Sequence, residues 1–455
     1  MTKRVVVTGT GIVSPIGTST GEFWRNCLAG HSVVEEIPSH WRDYSDFKST
    51  IWAPLPEIDY GERGISRSQR MQHDPVSLNA LLAAREAVDN AGWSPGRDMD
   101  GAEMHVDPRR TGVFMGTGIG GSHTFLDNHL HPVSSRSRKL LQAMDGDDNL
   151  TEVQRETLAT VAGRMHHPRR INPFMASMYM ANTVAATLGI HFSLHGPNRT
   201  YCQACASGTV AVGEAFRAIR NGDIDAALAG GSEYFYDHHG YLFLAFDVAG
   251  TLVRDCSDPR SANCPFDRKR SGFLFSQGAS VILALESRES AVERGVPILA
   301  EVTGYAESFD AHNMMAMAPE GVEIERMIRS SVQDAGLNVD DIDYVNTHGT
   351  GTLSNDEIEA DVLSRVFGTK PLVNATKSLV GHTIGASGAL EAAVLALSLH
   401  HQTTHPSRNL DDPIADLNFV KAAGDFDLTR GLSQSFAFGG HNSALVMNRF
   451  NPDGA

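Results

Sequence analysis

An α/β fold, with a mainly parallel or mixed sheet covered by helices on both faces, is what the order of hydrophobic patterns predicts. Three observations carry this. Short apolar runs closed by glycine turns recur as strand candidates at 4–8, 111–116, 226–229, 279–286, 298–304, 343–346 and 371–375. Between them, apolar residues return at helical spacing over 76–91, 206–219, 320–335, 356–367 and 385–400. The third is an internal echo: REAVDNAG at 85–92 and RSSVQDAG at 329–336 each precede a strand and a Gly-Thr-Gly turn, and an Ala-Ser-Gly triplet opens one helix at 206–208 and another at 386–388. The chain thus reads as two copies of one α/β unit, 1–270 and 271–455. Their two Ala-Ser-Gly helices are expected to meet end to end in the middle of the molecule.

Taken in order, RVVVT at 4–8 is a buried strand, and the GTGIVS after it is a tight turn. It lacks the third glycine and the distant acidic residue of a dinucleotide fingerprint. The helix 76–91 stops at Gly92. Residues 123–170 are rich in His, Arg, Asp and Ser and read as a solvated excursion with a short helix near 151–163. His123, His129, His131, His166 and His167 within it match no standard metal spacing, so no metal is expected. The final stretch, QSFAFGGHNSALVMN, is a turn leading into a last strand.

Composition narrows the function. Lys plus Arg is 38 and Asp plus Glu 54, a net charge of −16 that disfavours nucleic acid as a partner. No apolar run is long enough to cross a bilayer, and MTKRVVV lacks the pattern of a secretory signal. Five sparse cysteines fit a reducing cytoplasm.

The chemistry centres on PNRTYCQACASGTVAVGEAFRAIRNG, 197–222. Cys205 stands at the foot of its helix, where the macrodipole and unpaired backbone N–H groups favour a thiolate and lower its pKa. That makes it a candidate nucleophile. A small buried hydrophobe is the competing reading, and Cys202 with Cys205 also forms a CxxC that could be a redox pair or half a zinc site. Three glycine-rich turns of the second half add polar groups: Asn346–Thr352, Asn374–His382 and Ser435–Asn442. A thiol, imidazoles, an ammonium and flexible N–H donors together suit acyl transfer through a thioester.

With ACASG around Cys205, HGTGT at 348–352, KSLVGHTIGASGALE at 377–391 and FAFGGHN at 436–442, the chain resembles the β-ketoacyl-acyl-carrier-protein synthases of the elongating Cys-His-His type, over its whole length. RVVVTGTGIVSPIG at 4–17 and PFDRKRSGF at 265–273 agree. The resemblance implies a thiolase-like fold, with two βαβαβαββ halves in a five-layered α-β-α-β-α core. It implies that Cys205 takes an acyl group from acyl carrier protein, and that His348 and His382 stabilise the enolate formed when a malonyl extender loses carbon dioxide. The oxyanion would lie between the N–H groups of Cys205 and Phe438, the latter also a gate residue. Lys377 would support the site electrostatically with Glu359 as its ion-pair partner, and Glu391 would be a structural acid behind it. Thr350 and Thr352 would bind the pantetheine arm, and Ile119 and Phe436 would line the acyl pocket. Arg63, Arg67 and Arg70 would meet the acidic carrier protein. No cofactor is implied, and the expected assembly is a homodimer, with a heterodimer as the alternative.

Some positions depart from the family pattern. Ser276-Gln277-Gly278-Ala279-Ser280 stands where GEGAG is usual, and Ala437 and His441 replace glycine and threonine. With Cys202 and the long 123–170 excursion, these departures suggest a specialised synthase. A coenzyme A-dependent thiolase would need a second cysteine near the C-terminus, and none follows Cys264. A non-catalytic chain-length subunit would lack the nucleophile.

Overall fold

The computed structural model describes residues 2–93, 105–144, 150–166, 172–254 and 258–451. Among the described residues the central sheet has eleven strands; ten carry the architecture, and the short Asn418–Phe419 adds a parallel strand outside Leu372–Val373. Five come first: β1 (Val5–Val13), β2 (Thr111–Gly116), β3 (Asn198–Tyr201), β4 (Ala226–Tyr234) and β5 (Gly278–Ser287). Five follow: β6 (Ala300–Phe309), β7 (Tyr344–Asn346), β8 (Leu372–Asn374), β9 (Arg430–Ala437) and β10 (His441–Asn448). The first set lies in the order β3-β2-β4-β5-β1 and the second in the order β8-β7-β9-β10-β6, so each half repeats the sequence third, second, fourth, fifth, first. The pairing senses repeat as well: parallel among the first three strands of each order, antiparallel for the remainder. The halves join where Val5 to Val7 of β1 pair with Val302 to Ala300 of β6.

This order moves the boundary between the halves. β5 pairs with both β1 and β4, so the first unit runs through Ser287 and the repeat turns over between β5 and β6, not at residue 270. Two strands were not legible in advance. β3 is polar and largely exposed because it is an edge strand, and β9 was hidden in what reads as a turn.

Helices complete five layers. α1 (Pro75–Asn90) and α2 (Thr183–His191) cover one outer face of the first sheet. α3 (Ser207–Arg220) and α6 (Ser387–His401) fill the space between the sheets. α4 (Val322–Asp334) and α5 (Leu353–Phe367) form the far layer. Burial follows pattern. Every residue of α6 from Ser387 to Leu399 is buried, which is why that helix is apolar all round, whereas α4 buries only the stripe Ile324, Met327, Ile328, Ser331 and Val332.

The small residues of the two Ala-Ser-Gly triplets explain the middle layer. A Cβ on Gly208 would stand 2.6 Å from the backbone nitrogen of Ala389, and one on Gly388 would stand 2.7 Å from that of Thr209. The two central helices therefore touch backbone to backbone at their N-terminal turns. Side chains at those two positions would hold them apart.

The excursion is more regular than its composition suggests. It holds helices at Ser122–Phe125, His131–Met144 and Glu152–His166, with a π-helical turn at Leu126–Leu130, and the two long helices pack on each other.

Candidate active site

Cys205 sits in a 3-10 turn, Ala204–Ala206, that runs directly into α3. Ala204 takes φ 44°, in the left-handed region that non-glycine residues avoid. Ile384 takes φ 48° at the equivalent place before α6, so the duplication extends to this kink. The Ser207 hydroxyl accepts from Gln203 N and donates to Ala204 O at 2.7 Å, fixing the turn that presents the sulfur.

The fold gathers the rest around that sulfur. His382 Nε2 lies 3.1 Å from Cys205 Sγ. The backbone N–H of Ile384 donates to His382 Nδ1 at 3.3 Å, which leaves Nε2 as the protonated nitrogen facing the sulfur. His348 comes from the end of β7, its ring centroid 5.5 Å from that of His382 and nearly perpendicular to it. Lys377 Nζ donates to His348 Nδ1 at 3.2 Å and to His348 O at 2.6 Å. An ammonium can only donate, so His348 too carries its proton on Nε2. Burial and the neighbouring Lys377 charge hold both imidazoles well below the usual histidine pKa, so both are neutral donors.

The acidic partners are exchanged relative to expectation. Buried Lys377 forms its ion pair with Glu391, not with Glu359. Glu359 accepts instead from the backbone N–H groups of His348 (2.7 Å) and Gly349 (2.8 Å) and from Gln434 Nε2 (2.7 Å), so it holds the HGT loop in shape. Burial raises both carboxyls to about 7.

The sulfur also departs from expectation. Burial pushes the Cys205 thiol up to about 12, with Lys377 and the Phe438 backbone N–H pulling the other way. The α3 dipole acts in the same direction as those two, but the desolvation of a buried thiolate outweighs them. Cys202, three residues earlier, is exposed and also free, so the CxxC is not a disulfide.

A cavity of about 300 Å³ opens onto the sulfur and both imidazoles, with Thr350, Thr352, Phe436 and Phe438 also in its wall. Thr350 and Thr352 share a hydroxyl–hydroxyl hydrogen bond of 2.9 Å, and Phe436 packs edge-on against His348. Ile119 is not part of that wall. It is 40% exposed, on a turn whose Gly118 and Ile119 N–H groups donate to buried Glu233. Arg63, Arg67 and Arg70 are exposed and outside the cavity, and Arg63 donates to Thr18.

Sequence reasoning missed one side of the site. Met314, Met315 and Met317 line the cavity beside the glycine turn, and Gly439 N donates to Met314 O at 2.8 Å. Asp310 braces the same turn by accepting from Asn442 Nδ2 at 2.6 Å. The methionine-rich run AHNMMAMAP was the available signal.

A buried thiol under two imidazole donors, at the junction of a duplicated α/β core, defines a thiolase-like enzyme of acyl transfer. Comparison with known proteins makes the class specific. The β-ketoacyl synthase N-terminal domain family matches residues 2–291 and the C-terminal domain family residues 299–411. The chain belongs to the β-ketoacyl synthase family. It is 34% identical to the 3-oxoacyl-[acyl-carrier-protein] synthase 2 of Staphylococcus aureus (strain COL) over 454 residues, covering 98% of this chain and 99% of that one. Among solved structures it is similar to a β-ketoacyl synthase from Burkholderia phymatum STM815 (TM-score 0.82, 28% identity, covering 99% of this chain and 100% of that one). The ishigamide ketosynthase/chain length factor is similarly related (TM-score 0.81, 30% identity, the same coverage). Among the described residues no helix is long and apolar enough to cross a membrane.

Proposed function

We propose that this protein is a β-ketoacyl-acyl-carrier-protein synthase that extends a carrier-bound acyl chain by decarboxylative Claisen condensation. The observation that carries the reading is the meeting of Cys205, His382 and His348 around one cavity. The Cys205 sulfur attacks the acyl thioester of the carrier protein and retains the acyl group, releasing the carrier thiol. Malonyl-carrier protein then enters past Thr350 and Thr352. As its carboxylate leaves as carbon dioxide, the freed electron pair passes into an enolate whose oxygen accepts from the Nε2–H groups of His348 and His382. The enolate carbon attacks the Cys205 thioester, and the tetrahedral oxyanion accepts from the N–H groups of Cys205 and Phe438. That attack forms the new carbon–carbon bond; collapse of the oxyanion then breaks the carbon–sulfur bond, releasing the β-ketoacyl-carrier protein and the Cys205 sulfur.

Lys377 keeps His348 in the donating tautomer, and Glu391 balances its buried charge. The departures around the gate and excursion favour a specialised pathway, with the cytoplasm as its compartment. The exposed edge strand β3 offers unpaired backbone to a second copy, the basis for a homodimer. The active member of a ketosynthase/chain length factor pair is the second reading, favoured by the likeness to the ishigamide protein.

The test is direct. Mass spectrometry of protein incubated with short acyl-carrier protein should show acylation at Cys205 and none in Cys205→Ala. Malonyl-carrier protein should then release carbon dioxide. His348→Ala and His382→Ala should still acylate but lose decarboxylation; condensation at the normal rate in either would refute the assignment of roles.

A further inference from the structure

Outside the catalytic cavity, the fold brings a second set of imidazoles together. His131 opens the helix His131–Met144 of the excursion, and His238 and His239 lie in the turn between β4 and the helix Tyr241–Val248. One ligand nitrogen from each lies within 4.8 Å of the others. His131 Nδ1 is 3.0 Å from His239 Nε2, and the rings of His131 and His238 are 4.2 Å apart between centroids. Two imidazoles on one tetrahedral zinc place their nitrogens about 3.3 Å apart, given Zn–N bonds of about 2.0–2.1 Å. The closest pair is already near that spacing, and half-buried His238 packs against both rings.

We propose that His131, His238 and His239 form a zinc site that fastens the excursion to the turn after β4. Several features fit a built site rather than a chance cluster. His239 is 2% exposed, so its Nε2 meets His131 Nδ1 away from solvent. Asp237 fixes the turn by accepting from the backbone N–H groups of His239, Tyr241 and Leu242, so the two adjacent rings are presented by a rigid backbone. Asp127 accepts from His238 N at 3.0 Å and supplies a carboxylate close by to balance a cation.

Three imidazole nitrogens suit borderline ions such as zinc better than calcium or magnesium, which take oxygen. Three protein ligands also leave the fourth position of a tetrahedron open. The role inferred is positional. The strand leading to this turn carries Glu233, which accepts from Gly118 N and Gly385 N beside the catalytic core. A metal tie here joins the excursion to the segment that holds those turns.

The experiment uses full-length, tag-free protein carrying Cys205→Ala, so that the active-site sulfur cannot ligate, stripped with chelator and dialysed against zinc. Elemental analysis should find about one zinc per chain, falling at least tenfold when His131→Ala and His239→Ala are added. Cobalt in place of zinc should give the intense visible bands of a four-coordinate ion without a sulfur charge-transfer band. Bound zinc should also slow proteolysis within 131–166. Should the histidine variants fail to fold, the cobalt spectrum of the parent protein decides alone. A parent that binds no zinc or shows no such bands, or folded variants that keep the metal, would overturn the site.

Discussion

Replacing Gly388 by alanine places a methyl group where the two central helices meet. The new Cβ would stand 2.0 Å from Thr209 Oγ1, 2.7 Å from Thr209 N and 2.9 Å from Ser435 Oγ. The first and last atoms belong to a buried hydroxyl pair hydrogen-bonded at 2.8 Å, so the methyl both crowds a backbone and splits that bond. Overpacking of a tight core costs about 1–3 kcal/mol and a lost internal hydrogen bond about 1, for a total of about 2–4 kcal/mol. At about 1 °C per kcal/mol for a chain of this size, the melting temperature should fall by about 2–4 °C. Cys205 precedes one of these helices and His382 the other, so the 3.1 Å contact between them should lengthen and alkylation of Cys205 by iodoacetamide should slow several-fold. Gly21→Ala is the control, since the nearest atom to its new Cβ is Arg25 Nη1 at 3.7 Å; it should melt with or slightly above the wild type. Calorimetry and an alkylation time course read both effects. A Gly388→Ala protein that melts and alkylates like the wild type would show that this contact does not set the spacing of the site.

Three further outcomes are expected. With its thiol held up to about 12, Cys205 should alkylate roughly tenfold faster per pH unit between pH 7 and 9, and a plateau in that range would contradict the burial argument. Glu391 is raised from 4.5 to about 7, so the cost of ionising it in the fold is absent at pH 4.5, grows as pH rises, and is complete above 7. Lys377→Met removes its counter-charge and should cost about 3–5 kcal/mol in a denaturant melt at pH 8 and distinctly less at pH 5. The double variant with Glu391→Gln should lose less than the sum of the two singles, and strict additivity would deny the pair. At Ala204, whose φ is 44°, stability should rank glycine at or above alanine and alanine above valine, because a branched side chain fits the left-handed region worst; a valine variant as stable as the parent would remove the argument for strain.

What the sequence determined by itself was local or repeated. The apolar strands, the helix faces, the duplication and the nucleophile turn are written in short patterns: alternation, helical spacing, a repeated Ala-Ser-Gly. A thiol and two imidazoles in glycine turns also announced acyl transfer, since few chemistries need that set. What it could not decide depended on neighbours distant in the chain. Glu359 and Glu391 are both acids in the right half, and only packing shows that one pairs with Lys377 while the other spends its oxygens on backbone N–H groups. The helix dipole at Cys205 is a sequence-level fact, but its pKa follows burial, which the finished core imposes. β3 escaped notice because an edge strand need not be apolar, and the boundary at residue 270 was misplaced because β5 belongs to the unit whose sheet it joins.

The histidines show the same division. Among those singled out in the excursion, His123 sits against Tyr236 O, while His131 meets His238 and His239 more than a hundred residues downstream, a pairing no linear spacing reveals. The side chains of His129 and His166, and all of His167, lie outside the described residues. Patterns within one element are set by backbone geometry and can be read from letters. Which charge meets which, and how dry the meeting place is, are settled only when separate elements close on one another.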